Sequence, residues 1–290
     1  MGRIRMGKNI GGQTQVFAVL GHPVGHSFSP VMHNAAFAQL GWDAVYVAFD
    51  VAPERLMKAL EMLRELGFGG VNLTVPLKEA AFQGLPLLDD SARRLGAVNT
   101  IEFRRNGLVG HNTDGYGFLE AHREAFGCTV QGETVFVLGT GGAGRAVALT
   151  CAAAGARALA LGDLETARCQ RVAEAVRARA PDCAVQVVAD AAAWPAAARA
   201  ADLVVQATPV GAQAGDEAPL PTAAFRANQR LFDLIYWLRE TAQMRAARAA
   251  GAQAVNGLGM LLHQGARAFE IWTGRAAPLA AMRAALEAEL

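Results

Sequence analysis

A lysine and an aspartate, Lys78 and Asp114, stand among an unusual density of small polar residues. These lie in His26-Ser27-Phe28-Ser29-Pro30, Asn72-Leu73-Thr74, Ala97-Val98-Asn99-Thr100 and His111-Asn112-Thr113-Asp114-Gly115. If Lys78 and Asp114 meet in space, the carboxylate orients the lysine. The ammonium can then give a proton to a carbonyl oxygen as hydride arrives, and take one back in the reverse direction. Taken singly, Lys78 reads more readily as a solvated lysine in a first helical turn, and Asp114 as the N-cap of a helix near Gly117; their coincidence with Thr74, Asn99 and a cofactor fold shifts the balance. Ser, Thr and Asn supply donors and acceptors without charge, which suits a ligand bearing several hydroxyls.

A second chemical signature follows. The apolar run Val135-Phe136-Val137-Leu138 leads directly into Gly139-Thr140-Gly141-Gly142-Ala143-Gly144, a G-x-G-x-x-G sequence at a strand-to-helix junction. Such glycines give a tight turn, close approach of the backbone to a pyrophosphate, and close helix-to-strand packing. The helix start adds unpaired N–H groups and the positive end of a dipole. Asp163 ends the next strand 19 residues after Gly144, near the spacing of a ribose-binding carboxylate. Gly139, Gly141, Gly142, Ala143 and Gly144 are therefore expected to hold a nicotinamide dinucleotide, the alternative being a plain turn that binds nothing. Asp163 would accept bonds from both ribose hydroxyls but repel a 2′-phosphate. Leu164 brings no guanidinium, and Arg168 lies about one helical turn further on. NAD is the expected cofactor, with NADP the second choice.

The elements that must position these residues alternate. Strand patterns at 16–20, 45–49 and 70–75 are separated by helical patterns after Pro30 and over 53–66, and another helix begins at Lys78. The runs 97–103 and 108–111 flank Asn106-Gly107, a hairpin signal. A helix over 117–126 leads to strands at Thr134–Leu138, 158–161, 185–189, 203–207 and 231–235. Helices at 143–154 and 164–180 lie between them, and the alanine-rich tract 191–201 also reads as helix. Two final helices, 260–272 and 278–290, have no strand of their own and are expected to pack back on the first domain. The fold class is thus α/β with two domains. A smaller substrate domain spans 15–113 with 257–290, a doubly wound Rossmann domain spans 114–256, and 1–14 form a disordered leader.

From about Phe17 to its C-terminus the chain resembles the shikimate dehydrogenase family. The segment from Gly21 through Ser27 and Ser29 to Pro30 is similar to the family's substrate-carboxylate segment, which implies that the two serines hydrogen-bond the acid group. Val71-Asn72-Leu73-Thr74-Val75-Pro76-Leu77-Lys78 resembles its catalytic-lysine segment, and Gly96–Thr100 and Asn112–Gly115 resemble the next two. By that resemblance Thr74, Asn99 and Asp114 contact ring hydroxyls, and Lys78 with Asp114 forms the catalytic pair. Asp233-Leu234-Ile235-Tyr236 and the segment from Gly257 to Gln264 also match. They imply Tyr236 and Gln264 at the substrate, and Leu234 and Gly257 near the nicotinamide. One segment departs from the pattern: where NADP users carry Asn-Arg-Thr and a further Arg, this chain has Gly162-Asp163-Leu164-Glu165-Thr166-Ala167-Arg168. That is closer to NAD-using quinate/shikimate dehydrogenases. The implied reaction is reversible reduction of 3-dehydroshikimate to shikimate, with quinate as the alternative substrate. Ser29 resembles the shikimate form, since quinate users tend to have threonine there. A catalytically silent NAD-binding regulator is the rival from another class, and the intact Lys78 and Asp114 argue against it.

Composition excludes other classes. With 52% hydrophobic residues, 18% charged residues and a net charge of +1, nothing biases the chain toward a polyanion, and no nucleic-acid partner is expected. No run approaches the ~18 apolar residues of a membrane helix, and the first residues lack a secretory pattern. A cytoplasmic monomer or homodimer handling small molecules is expected. Cys128, Cys151, Cys169 and Cys183 lack C-x-x-C pairing, and the six histidines show no H-E-x-x-H pattern, so free thiols and no metal are expected.

Overall fold

Strand residues that alternate between two apolar faces dictate the layers. In β1 (Gln15–Gly21), Phe17 and Val19 join one apolar cluster while Ala18 and Leu20 join another on the opposite face. A strand buried on both faces needs cover on both, and the helices supply it. The computed structural model describes residues 10–213 and 215–290.

After β1 come α1 (Ser29–Gln39), β2 (Ala44–Asp50), α2 (Leu56–Glu65), β3 (Gly70–Leu73), α3 (Leu77–Gly84) and β4 (Leu87–Leu88). Next are α4 (Asp90–Leu95), β5 (Thr100–Arg104) and β6 (Gly107–His111). The six strands form one sheet in the order β2-β1-β3-β5-β6-β4. Strands β2, β1 and β3 are parallel, as the alternating pattern predicts, but β5 runs antiparallel to both β3 and β6. The sheet is therefore mixed. A two-residue turn can join only antiparallel neighbours; it falls on Arg105-Asn106, with Arg104 paired to Gly107.

Helix α5 (Asp114–Phe126) leads to the second sheet: β7 (Thr134–Leu138), α6 (Gly142–Ala153), β8 (Ala158–Gly162), α7 (Thr166–Arg179) and β9 (Ala184–Val187). Then follow α8 (Trp194–Ala200), β10 (Leu203–Gln206), β11 (Arg230–Asp233), α9 (Ala242–Ala249) and β12 (Gln253–Val255). All six strands are parallel in the order β12-β11-β10-β7-β8-β9. Strand order reverses between β7 and β10, the place where such sheets bind ligands. Val135 and Val137 face one cluster with Val147 and Val172 of α6 and α7, and Phe136 and Leu138 face another with Ala198 and Met244. The alanine tract begins as one 3-10 turn, Ala191–Ala193, and becomes α-helical only at Trp194, with Pro195 in the first turn where its missing N–H costs nothing.

The last helices, α10 (Leu258–Thr273) and α11 (Leu279–Glu287), return to the first sheet. Phe269, Met282 and Leu286 are fully buried against Phe17 and Phe37, each contributing about 1.5–3 kcal/mol of apolar burial. Helix α10 also packs along α5. Gly117 makes this approach close, because a Cβ there would sit 2.7 Å from the Gln264 backbone nitrogen. Of the expected leader, residues 1–9 lie outside the described residues, while the Thr14 hydroxyl is bonded to Asp43 (2.8 Å).

Candidate active site

Strand ends bring the polar segments together. Lys78 is the second residue of α3 and Asp114 the first of α5. Backbone bonds fix the segments between them: Leu73 N–H donates to Asn99 O, Val98 N–H to Lys78 O, and Asn99 N–H to His111 O. Lys78 Nζ lies 2.7 Å from Asp114 Oδ2, with the two side chains 22% and 10% exposed. The other carboxylate oxygen accepts from Asn99 Nδ2 at 2.8 Å. Asp114 therefore turns toward the lysine instead of capping its helix, and its place in the first turn of α5 suits a negative charge. An ammonium so held, beside a carboxylate and partly shielded from water, can donate a proton to an oxygen placed against it.

The pair opens on a cavity of about 210 Å³. Ser27, Ser29, Thr74, Asn99, Tyr236 and Gln264 line it together with Lys78 and Asp114. Gly142, Ala143, Leu234 and Gly257 complete the side toward the second sheet. Gln264 is anchored by donating to Leu261 O (2.9 Å) and lies 3.3 Å from Asn99 Nδ2. Tyr236 packs edge-on to Phe28 with ring centroids 5.5 Å apart, and burial pushes its phenol up, so it stays a donor. The loop carrying Leu234 and Tyr236 is clamped by Asp233, which accepts from Ile235 N–H and the Thr241 hydroxyl. Burial raises the Asp233 carboxyl to about 6.

The glycine-rich turn is built for close approach. Gly139 has φ 92°, and a Cβ at Gly144 would lie 1.9 Å from the Gly139 carbonyl oxygen. At Gly141 and Gly142 a Cβ meets nothing within 4 Å, so the backbone there faces open space at the start of α6. A pyrophosphate fits that cradle, and side chains would fill it. Gly139, Gly141, Gly144, Asp163 and Arg168 do not line the polar cavity. Gly139 and Gly141 follow β7, Gly144 lies in the first turn of α6, Asp163 follows β8 and Arg168 lies in the first turn of α7.

Asp163 does not present a free carboxylate. One oxygen accepts from Thr140 N–H (2.7 Å) and the Thr140 hydroxyl (2.9 Å), the other from Glu165 N–H (2.9 Å). Burial alone would raise this carboxyl, but the bonds from Thr140 and Glu165 together with the charge of Arg168 hold it below its ordinary value. Arg168 is itself paired with Glu165 at 2.7 Å, and Leu164 is 85% exposed.

Asn72, Val75 and Met260, which stand in the segments singled out from the sequence but were given no role there, also line the cavity. Asn72 had a signal: a polar residue between Val71 and Leu73 in a buried strand must find partners. Of the four free thiols, three are buried and Cys128 is partly exposed.

The profile of the Shikimate dehydrogenase substrate binding domain matches residues 19–101, and that of the Shikimate 5'-dehydrogenase C-terminal domain matches 257–287. The Shikimate dehydrogenase (NADP(+)) of Methanopyrus kandleri is 42% identical over 280 residues, covering 96% of this chain and 97% of that one. Its counterpart in Moorella thermoacetica is 46% identical over 271 residues, covering 93% and 91%. The crystal structure of shikimate 5-dehydrogenase from Listeria monocytogenes in complex with shikimate and NAD has a TM-score of 0.88 at 32% identity, covering 96% of this chain and 98% of that chain. Eight curated relatives, 39–46% identical, are each named as NADP(+) enzymes. This overturns the preference for NAD expected from Asp163. The side chain weakens one part of that expectation: three donors from Thr140 and Glu165 occupy most of the acceptor sites of Asp163, which leaves little of it for the ribose hydroxyls.

Proposed function

The chain belongs to the shikimate/quinate dehydrogenase family, and on that premise we propose that Lys78 and Asp114 are the groups that handle the proton. The enzyme catalyses reversible NAD(P)-dependent reduction of 3-dehydroshikimate to shikimate by hydride transfer. Its curated relatives point to NADP as the dinucleotide.

The observation that carries the assignment is the 2.7 Å Lys78–Asp114 contact at the wall of the polar cavity. The nicotinamide, when bound, supplies or receives the hydride. Lys78 gives its proton to the carbonyl oxygen during reduction and takes it from the hydroxyl during oxidation. Asp114 holds the ammonium in place and accepts from a ring hydroxyl, which Thr74 and Asn99 also meet. Ser27 and Ser29 bind the ring carboxylate, and Tyr236 and Gln264 also contact the ring acid. Gly139, Gly141, Gly142, Ala143 and Gly144 cradle the pyrophosphate, Asp163 and Arg168 flank the adenosine ribose, and Leu234 and Gly257 meet the nicotinamide. Residues 15–113 with 257–290 form the substrate domain, and 114–256 the Rossmann domain.

Shikimate is preferred to quinate, because quinate carries an additional hydroxyl beside its carboxylate, where Ser29 stands. No described helix is long and apolar enough to cross a membrane, and we place the enzyme in the cytoplasm as a monomer or homodimer. Initial rates with shikimate and quinate, each with NADP and NAD, test the reading. Turnover of shikimate with NADP at the highest kcat/KM is expected; turnover of neither ring acid would overturn it.

A further inference from the structure

We propose that Tyr46 is a positioning residue for the Lys78–Asp114 pair, acting through a directed chain of buried hydrogen bonds that runs Tyr46, Asn72, Thr100, Asn99, Asp114. The proposal rests on the reading of Lys78 and Asp114 as the proton-handling pair. The Tyr46 hydroxyl donates to Asn72 Oδ1 at 2.7 Å, and Asn72 Nδ2 donates to Thr100 Oγ1 at 3.0 Å. The Thr100 hydroxyl donates to Asn99 Oδ1 at 3.0 Å, and Asn99 Nδ2 donates to Asp114 Oδ1 at 2.8 Å. Lys78 holds the opposite oxygen of the same carboxylate. Every member is buried, from Thr100 at 0% exposure to Asp114 at 7%.

The chain has a single direction, and two groups at its far end set it. Asn72 Nδ2 also lies 3.1 Å from the Asn99 carbonyl oxygen, which can only accept, so that side of the amide must be the NH₂. Its oxygen then faces Tyr46, which must donate. The phenol is buried, and burial keeps it protonated. Thr100 Oγ1 receives one bond from Asn72 and has two oxygens in reach of its own proton, Asn99 Oδ1 at 3.0 Å and Thr113 Oγ1 at 3.3 Å, of which the nearer takes it. Asn99 Oδ1 is held in addition by Thr113 N–H at 2.8 Å, which leaves its NH₂ to point at Asp114. A chain of bonds that all run one way is polarised along its length, and it ends on the carboxylate that orients the lysine.

The ring of Tyr46 is fixed by stacking on His33, with centroids 4.3 Å apart and planes within 9°. Removing only the hydroxyl therefore leaves the packing in place. It also leaves Asn72 Oδ1 buried without its donor. If the Asn72 amide turns to relieve this, its Nδ2 bond to Thr100 Oγ1 is lost, and the Thr100 hydroxyl is no longer held toward Asn99. Asn99 Oδ1 is then held by Thr113 alone, and the aim of its Nδ2 at Asp114 loosens. Misplacing a catalytic group by a fraction of an ångström lowers rate more than binding.

The experiment uses Tyr46→Phe, Thr100→Val, Thr100→Ser and the double variant Tyr46→Phe/Thr100→Val, with Lys78→Ala alongside. Tyr46→Phe and Thr100→Val should each lower kcat by about five- to twentyfold with KM for the ring acid within about twofold, as for an effect felt in the transition state. Thr100→Ser should restore kcat to within about twofold. The double variant should be no slower than the slower single variant by more than about twofold, because both break one chain. Unchanged kcat with only a lowered melting temperature would overturn the proposal, as would multiplied losses in the double variant or a serine variant as slow as valine. Normal kcat in Lys78→Ala would instead overturn the underlying reading of the pair.

Discussion

Replacing Lys78 by alanine tests the proton-handling assignment most directly, and its consequences can be worked from the geometry. The substitution removes the ammonium 2.7 Å from Asp114 Oδ2, and no other charged nitrogen is bonded to that carboxylate among the described residues. Loss of a positioned general acid costs about 10²–10⁴ in kcat. With Ser27, Ser29, Thr74 and Gln264 at its carboxylate and other hydroxyls as proposed, the ring acid should still bind, and KM should stay within about fivefold. Stability should fall modestly. Asp114 is left almost buried but keeps the Asn99 bond at 2.8 Å, and Lys78 was itself 22% exposed, which places the loss near the low end for a broken buried pair, about 1–3 kcal/mol. At about 2–4 °C per kcal/mol for a chain of this size, the variant remains folded in the assay. The measurement is consumption of reduced nicotinamide absorbance with 3-dehydroshikimate, together with a thermal melt. Lys78→Arg serves as the control: it keeps a cation for Asp114 but cannot give up its proton, so it should recover stability and remain slow. Near-normal kcat in both variants would refute the assignment of proton transfer to Lys78.

Ser27→Ala and Ser29→Ala should each raise KM for the ring acid about tenfold, the worth of one hydrogen bond to a charged group, with kcat within about twofold; loss confined to kcat would remove the serines from carboxylate binding. Gly144→Ala places a Cβ 1.9 Å from the Gly139 carbonyl, so the turn must open, and dinucleotide affinity by titration calorimetry should fall at least about tenfold. Wild-type affinity would show that the turn does not hold the pyrophosphate. His33 is buried with neither ring nitrogen bonded among the described residues, and burial lowers it to about 3. Between that value and the unfolded value of 6.5 the unfolded chain binds a proton that the folded chain does not. Stability is therefore full above pH 6.5 and falls as pH drops, by about 1.4 kcal/mol per unit. His33→Phe keeps the ring against Tyr46 and should flatten the melting temperature below pH 6; an unchanged slope would assign the acid sensitivity elsewhere.

The second sheet was legible because its strands are parallel and buried on both faces, so that they read as short apolar runs between helical periods. Ends shifted by one to three residues, as at 185–189 against Ala184–Val187, because the apolar run and the ladder of hydrogen bonds need not stop together. The two-residue β4 and the six-residue α4 left no readable period, being shorter than one repeat of either pattern can establish. Helix α9 and strand β12 lay in the stretch 242–255, where alanines and arginines give a weak apolar stripe although Met244 and Ala247 are buried.

The candidate site was legible for a different reason, and the same reason marks where reading failed. In a parallel sheet the loops after the strands open on one crevice, which places Thr74 and Lys78 after β3. Asn99 precedes its strand, so that rule alone would send it to the far end. Strand β5 is antiparallel to β3 and β6, however, and its beginning therefore lies at the same end as their carboxyl termini, within 2.8 Å of Asp114. The hairpin signal at Asn106-Gly107 thus had a consequence for chemistry as well as topology: it reverses one strand and delivers an amide to the catalytic carboxylate. Spacing locates a residue along a strand in this way, but it does not say where the side chain's lone pairs are spent. Asp163 stands at the end of β8 as its spacing requires, yet Thr140 and Glu165 offer donors at 2.7 and 2.9 Å, and these come from turns whose shape no periodicity records. The identity of a carboxylate at a strand end therefore argues for a dinucleotide cradle, while the choice between two dinucleotides does not follow from that identity alone.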